Sequence, residues 1–199
     1  MKNLYCVVGK SGTGKDTIVN ELCRTYGYSR IISYTSRPKR PDPKDAQSHI
    51  FVTEDDYHRA KDTGAIVADT HFDGNYYWVT KEQADKNDFY IVDWYGYQEL
   101  KKLYKGKPIK LIVINADKDV RRDRMRKRGD SAADIDKRIA HDDEAFKDVD
   151  RADTHIDIMI SNNYNDNLRG VCRELYKEIQ KIENPPTESV DVGVKLYNP

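Results

Sequence analysis

The sequence predicts an α/β fold: a parallel sheet flanked by helices, with a small hairpin-bearing insertion. Three observations carry this. The apolar run Leu4 to Val8 leads into GKSGTGKDT (9–17) and then into a helix-like stretch, Thr17 to Tyr26. Further short β-rich runs alternate with amphipathic ones, an order that sets parallel strands between helices. Between residues 35 and 87 the rhythm breaks, and prolines and turn signals take over.

The first strand, loop and helix come in the order that a phosphate-binding loop requires. Gly9, Gly12 and Gly14 permit φ > 0 turns that aim successive N–H groups inward, and the helix adds its positive N-terminal end. Donor-nucleotide contacts are therefore expected from Gly9, Ser11, Gly12, Thr13, Gly14, Lys15, Asp16 and Thr17, with Lys15 as a point charge on the outer phosphates. The usual pattern places Ser or Thr after the lysine to hold Mg²⁺, whereas Asp16 stands there and Thr17 follows. Carboxylates suit Mg²⁺, so either Asp16 or Thr17 would serve as the metal ligand.

Later strands are expected at Arg30 to Tyr34, Phe89 to Val92, Ile109 to Ile114 and Ile156 to Ile160. Helices are expected at Tyr97 to Tyr104, Asp117 to Lys127, Ala133 to Lys147 and Asn165 to Ile182. Within the insertion, SRPKRPDPKD cannot be regular helix. FDGNYYW (72–78) carries a hairpin signal, and Thr53 with Asp56 opens a short helix. The organisation read from this is one domain over residues 1–182. Residues 1–34 and 88–182 form the core and 35–87 an insertion placed to close over a second ligand, followed by a loosely packed or disordered tail at 183–199.

Composition narrows the function. Lys plus Arg and Asp plus Glu each total 34 in 199 residues, so the chain as a whole lacks the positive field of a polymer-binding nucleic-acid protein. Cys6, Cys23 and Cys172 are odd in number and widely separated, which suggests neither a disulfide framework nor a zinc site. The chain enters a strand within a few residues and has no long apolar run, so a cytoplasmic protein without membrane association is expected.

Arginines supply the second half of a phosphate-transfer site. Arg37 and Arg40, three apart among prolines, form a rigid pair of planar forks suited to a dianionic phosphate, although solvated loop bases would look alike. Arg121, Arg124 and Arg128 share one helical face and could meet phosphates, leaving Arg122 and Arg126 to solvent.

With these residues in place the chain resembles guanylate kinase, or more broadly the nucleoside monophosphate kinase family with its P-loop fold. The similarity runs from about Lys2 to Lys181. It lies in GKSGTGKDT, TSRPKR with HIFV (49–52), FDGNYYW, KRG (127–129) and DKRI (136–139). The resemblance implies ATP and Mg²⁺ as cofactors and a nucleoside monophosphate as acceptor. It further implies Ser33, Arg37, Arg40, His49 and Tyr77 in the acceptor pocket, and Asp93 near metal and acceptor. Arg124, Arg128 and Arg138 would act with Lys15 on the transferred phosphoryl, with 35–87 as the acceptor-binding insertion and about 128–133 as a short lid. Tyr77 would equally serve as hairpin core, and Asp93 as a helix cap. The family's guanine-reading glutamate is matched by Ala68 and a base-side aspartate by Tyr95, so phosphate-facing residues are kept while base-facing ones are altered. Asp69 and Asp73 are the neighbouring carboxylates, and Asp69 would need a bulge to replace Ala68. Other functions compatible with the scaffold are a kinase for another nucleotide or a ribosyl phosphate, a non-catalytic protein-binding module, and a nucleic-acid-binding module centred on 121–128.

Overall fold

The computed structural model describes residues 2–39, 49–149, 154–163 and 166–185, with Phe72 described by its backbone alone. In chain order, β1 (Leu4–Val8), α1 (Lys15–Tyr26), β2 (Tyr34–Thr35), β3 (Ile50–Phe51), α2 (Glu54–Asp62), β4 (Ile66–Phe72), β5 (Asn75–Thr80) and α3 (Lys81–Lys86) come first. β6 (Phe89–Ile91), α4 (Trp94–Leu103), β7 (Ile109–Asn115), α5 (Lys118–Arg128), α6 (Ala132–Ala145), β8 (Ile158–Ser161) and α7 (Leu168–Glu183) follow.

β1 is buried along its whole length because both faces of its sheet are covered, as in other parallel sheets. The strand order is β6-β1-β7-β8, all parallel. Side-chain alternation sorts the two faces. Tyr5 and Val7 pack with Ile18, Val19 and Leu22 of α1 and with Leu175 and Ile179 of α7. Leu4, Cys6 and Val8 pack with Tyr97 and Leu100 of α4. Parallel pairing brings the strand C-termini to one edge, where Val92 N–H donates to Val7 O and Asn162 N–H to Asn115 O. The loops carrying Gly9, Asp93 and Asn162 therefore share that edge.

A second sheet, ordered β3-β2-β5-β4, is built from the insertion. β4 and β5 form a hairpin whose turn holds Asp73 at φ 50 and Gly74 at φ 71, the positive pair of a type I′ turn. Thr53 and Asp56 form the expected capping box on α2. α3 was not expected, although Thr80 and Gln83 cap it in the same manner. The expected strand Arg30 to Tyr34 is corrected. Arg30 makes only an isolated bridge to Phe89, and Tyr34 then crosses to pair with Ile50 and Trp78 of the other sheet. The β-favouring run is divided between two sheets, so neither gains a full strand from it.

Candidate active site

The nine residues after β1 wrap a concave bend. Gly12 and Gly14 lie at φ 82 and φ 89, and a Cβ on either would meet Arg121 O at 2.8 Å or Asn162 Nδ2 at 2.6 Å. Gly9 serves differently from expectation. It is absent from the positive-φ glycines, and its missing Cβ would lie 2.4 Å from Ile114 O, so it permits the loop to press on β7. α1 starts at Lys15 with no side-chain cap, leaving its first N–H groups facing the bend.

Lys15 Nζ lies 2.5 Å from Gly9 O and 3.2 Å from Lys10 O, folded back over the loop. Burial pushes its ammonium below the ordinary lysine range, with Asp16 and Asp142 pulling the other way and Arg121 and Arg128 reinforcing the depression. A buried cation so placed is stabilised by an incoming anion. Thr13 is buried and its hydroxyl donates to Lys10 O at 2.9 Å, so its side chain shapes the loop.

A cleft of about 760 Å³ opens on this bend, lined by Ser11, Gly12, Gly14, Lys15, Asp16 and Thr17. Arg124, Arg128 and Arg138 line the same cleft from α5 and α6. Arg124 donates to Gly12 O and Thr13 O at 3.3 Å each and approaches Asn162 Oδ1 at 3.4 Å. Arg128 chelates Asp130, its Nε 3.1 Å from Oδ1; that carboxylate raises the Arg128 pKa while burial opposes it. Arg138 is exposed on α6. Arg121 corrects the expected stripe. It is 3% exposed and packs beneath the loop against Asp142, rather than lining the cleft. Arg122 and Arg126 are held by Asp136 and Asp123 at 2.6 and 2.7 Å.

The metal-ligand candidates sit at the start of α1. The Asp16 carboxylate is largely exposed, 3.5 Å from Arg30 Nη1, and Thr17 is exposed beside it. Among the described residues no three His, Cys, Asp or Glu side chains gather into a metal cage. Mg²⁺ usually takes one or two carboxylates together with water and substrate phosphate, and Asp16 on the cleft wall fits that habit.

Of the acceptor-side candidates, Arg37, His49 and Tyr77 gather on the insertion. The Arg37 guanidinium stacks 5.2 Å above the Phe51 ring, and His49 meets Tyr77 edge-on at 5.4 Å and Phe51 at 6.2 Å. Ser33 accepts Ile50 N–H at 2.9 Å through its carbonyl, joining the same cluster through the backbone. Arg40 lies outside the described residues. Asp93 caps α4, its Oδ1 accepting Gly96 N–H at 2.7 Å, and no side chain at Gly96 separates it from the hairpin, where Thr70 stands.

Where the resemblance places base contacts, Ala68 and Tyr95 supply no carboxylate, and Asp69 turns away. Ala68 is fully buried with Val79 in the core. The irregularity in β4 falls between Ile66 and Ala68, and Asp69 remains on the opposite face. There its Oδ2 accepts from Tyr57 Oη at 2.5 Å and Lys61 Nζ at 2.9 Å. Tyr95 is 61% exposed.

Asn162, Asp166 and Leu168 line the cleft as well and were not singled out from sequence. Asn162 is buried, its Nδ2 donating to Thr13 O at 2.8 Å. The only sequence signal was its place just after an expected strand, among similar polar residues in SNNYNDN.

The family model described as AAA domain matches residues 6–147, more than half of the chain. This chain belongs to the AAA domain family. Several relatives carry the name guanylate kinase. That of Paraburkholderia xenovorans (strain LB400) is 33% identical over 134 residues, covering 64% of this chain and 59% of that protein. The chain thus spans about three fifths of that relative's length. A guanylate kinase of Wolbachia pipientis wMel is 26% identical over 193 residues, covering 92% of this chain and 94% of that protein. The crystal structure of guanylate kinase from Anaplasma phagocytophilum superposes with a TM-score of 0.61 at 18% identity, over 93% of this chain and 88% of that one. The last match shows a shared fold, and the guanylate-kinase-like resemblance read from the sequence is borne out.

Proposed function

We propose that this chain transfers the γ-phosphoryl of ATP to the phosphate of a nucleoside monophosphate, guanylate kinase chemistry giving ADP and GDP when the acceptor is GMP. One observation carries the reading: Lys15, Arg124, Arg128 and Arg138 meet in a single cleft over an uncapped helix N-terminus. Phosphoryl transfer needs alignment and charge neutralisation more than covalent chemistry, so this set suffices without a nucleophilic side chain.

In this reading the backbone N–H groups from Gly12 to Thr17 cradle the donor phosphates, while Ser11 N–H stays on the Asp142 carboxylate and its residue only lines the cleft. Lys15 leaves the carbonyls of Gly9 and Lys10 to reach them, and Arg124, Arg128 and Arg138 neutralise charge on the group in transit. Mg²⁺, when bound, draws charge from the phosphates, and Asp16 with Thr17 would hold it. Arg37 and Arg40, with His49, Tyr77 and Ser33, orient the acceptor, and Asp93 faces it from the sheet edge. Residues 35–87 act as the acceptor-binding insertion and about 128–133 as the lid that excludes water.

A second acceptor class, another nucleotide or a ribosyl phosphate, is favoured by the placement of Ala68 in the core and Asp69 against Tyr57 and Lys61. A buried carboxylate that pairs with guanine can supply discrimination of roughly 10⁴. Neither residue offers one here. Coupled ADP-release assays over ribonucleotide, deoxyribonucleotide and sugar-phosphate acceptors test both versions. GMP-dependent ADP release at the highest kcat/KM supports the guanylate kinase form. Preference for another acceptor selects the second, and no acceptor-dependent release removes the reading.

A further inference from the structure

A charge cluster beneath the phosphate loop has no part in the transfer chemistry described above. Asp142, near the C-terminal end of α6, accepts Ser11 N–H at 2.6 Å. Arg121 of α5 lies 3.7 Å from the same carboxylate and 4.0 Å from Asp143, while Lys10 and Lys118 approach Asp143 at 3.1 and 3.6 Å. Arg121 and Asp142 are 3% and 9% exposed. Two of the Arg121 guanidinium nitrogens, Nε and Nη1, are buried without a hydrogen-bond partner among the described residues.

A buried ion pair of this kind is poor value for stability, since apolar side chains of similar volume often replace one at no loss. Its geometry shows another use. Arg121, Arg124 and Arg128 climb one face of α5, and Asp142 stands one turn from Arg138 on α6. The Arg121–Asp142 pair is thus the foot of both arginine-bearing helices, and at that foot the Asp142 carboxylate also grips the loop backbone. Arg121 closes against the loop from the other side, its carbonyl filling the space that a Cβ at Gly12 would need. The apolar cluster local to α5 and the first half of α6 is small: Met125, Ile135 and Ile139.

We propose that Asp142, held by Arg121, is a positioning residue that latches the phosphate loop to the two helices carrying Arg124, Arg128 and Arg138. The carboxylate fixes the Ser11 amide, and with it the shape of the bend and the height of the arginines above it. This rests on the kinase reading, in which the bend receives ATP.

Two double variants test it, by calorimetry with MgATP and by thermal melting. Arg121→Leu with Asp142→Ala removes both charges and the acceptor for Ser11 N–H. Arg121→Met with Asp142→Asn removes the charges but leaves an amide oxygen as acceptor. Both should melt within a few degrees of the parent, because apolar or neutral replacement of a buried pair is well tolerated. The first should bind MgATP about tenfold or more weaker, and the second within about threefold of the parent, the difference being one backbone hydrogen bond. Parent-like binding by the first pair, or equal weakening of both in step with melting temperature, overturns the latch. If the first pair does not fold, the second decides alone: a folded protein with binding down about tenfold or more contradicts the proposal, and binding within about threefold upholds it. A parent chain that binds no MgATP overturns the kinase reading and the latch with it, whereas a binding parent with two equally competent pairs removes the latch alone.

Discussion

Lys15 is where burial and function oppose each other most sharply. Desolvation of its ammonium lowers its pKa, among the described residues only the loop carbonyls accept from it, and an incoming polyphosphate would raise the pKa again. ATP binding should therefore take up a proton at pH values between the depressed pKa and the ordinary lysine value of about 10.4, and none below the depressed value. Calorimetry in buffers of different ionisation enthalpy reads this directly. Lys15→Ala should lower turnover by roughly 10²–10³-fold. Its melting temperature should hold or rise, because the variant no longer buries an ammonium. At this scale much of the proposed donor site was legible: GKSGTGKDT specifies Gly12, Gly14 and Lys15 by backbone and charge requirements alone. Asn162 and Asp142 were not legible, because one polar side chain among many says nothing of which loop it will fold against.

Elements show the same division between what local sequence can fix and what packing decides. α2 and the hairpin turn follow from short-range chemistry, the Thr53–Asp56 box and the Asp73–Gly74 pair. The Arg30 to Tyr34 segment does not, because its β-favouring residues leave open which sheet receives them. Gly12→Ala probes the contact between loop and α5. With φ at 82 and Arg121 O 2.8 Å from the new Cβ, the variant should lose about 1–3 kcal/mol of stability in denaturant titration. Asp157 probes the junction of β7 and β8. Burial raises its pKa, but hydrogen bonds from Lys110 Nζ at 2.9 Å and Leu111 N–H at 2.8 Å outweigh that and hold the carboxyl below its ordinary value. A depressed folded pKa means stability that is present above the unfolded value of about 3.9 and lost as pH falls through the lower folded one. The melting-temperature gap between the parent and Asp157→Asn should accordingly shrink as pH drops from about 6 to about 3. A gap independent of pH would assign Asp157 no such role.

Across the whole molecule, the parallel sheet sends the loops carrying Gly9, Asp93 and Asn162 to one edge, and α5 and α6 bring their arginines to the cleft there. That convergence was readable from the alternation of elements and from helical spacing. Arg121 was misplaced because spacing alone cannot tell a residue lining a cleft from one buried beneath it. Acceptor choice is the property least legible in sequence. Losing a carboxylate at Ala68 removes one recognition without naming its replacement, and the structure adds that Asp69 is already engaged by α2. Arg138 gives the sharpest whole-molecule test, since it is exposed on α6 and contributes to the cleft rather than to the core. The measurement is acceptor-dependent ADP release from MgATP, made on the parent and on Arg138→Ala at matched folding. Release that requires a nucleoside monophosphate in the parent, and that falls roughly 10³-fold in the variant, is the predicted result. Release unchanged in Arg138→Ala, or absent with every acceptor although ATP binds, would contradict a cleft built for phosphoryl transfer.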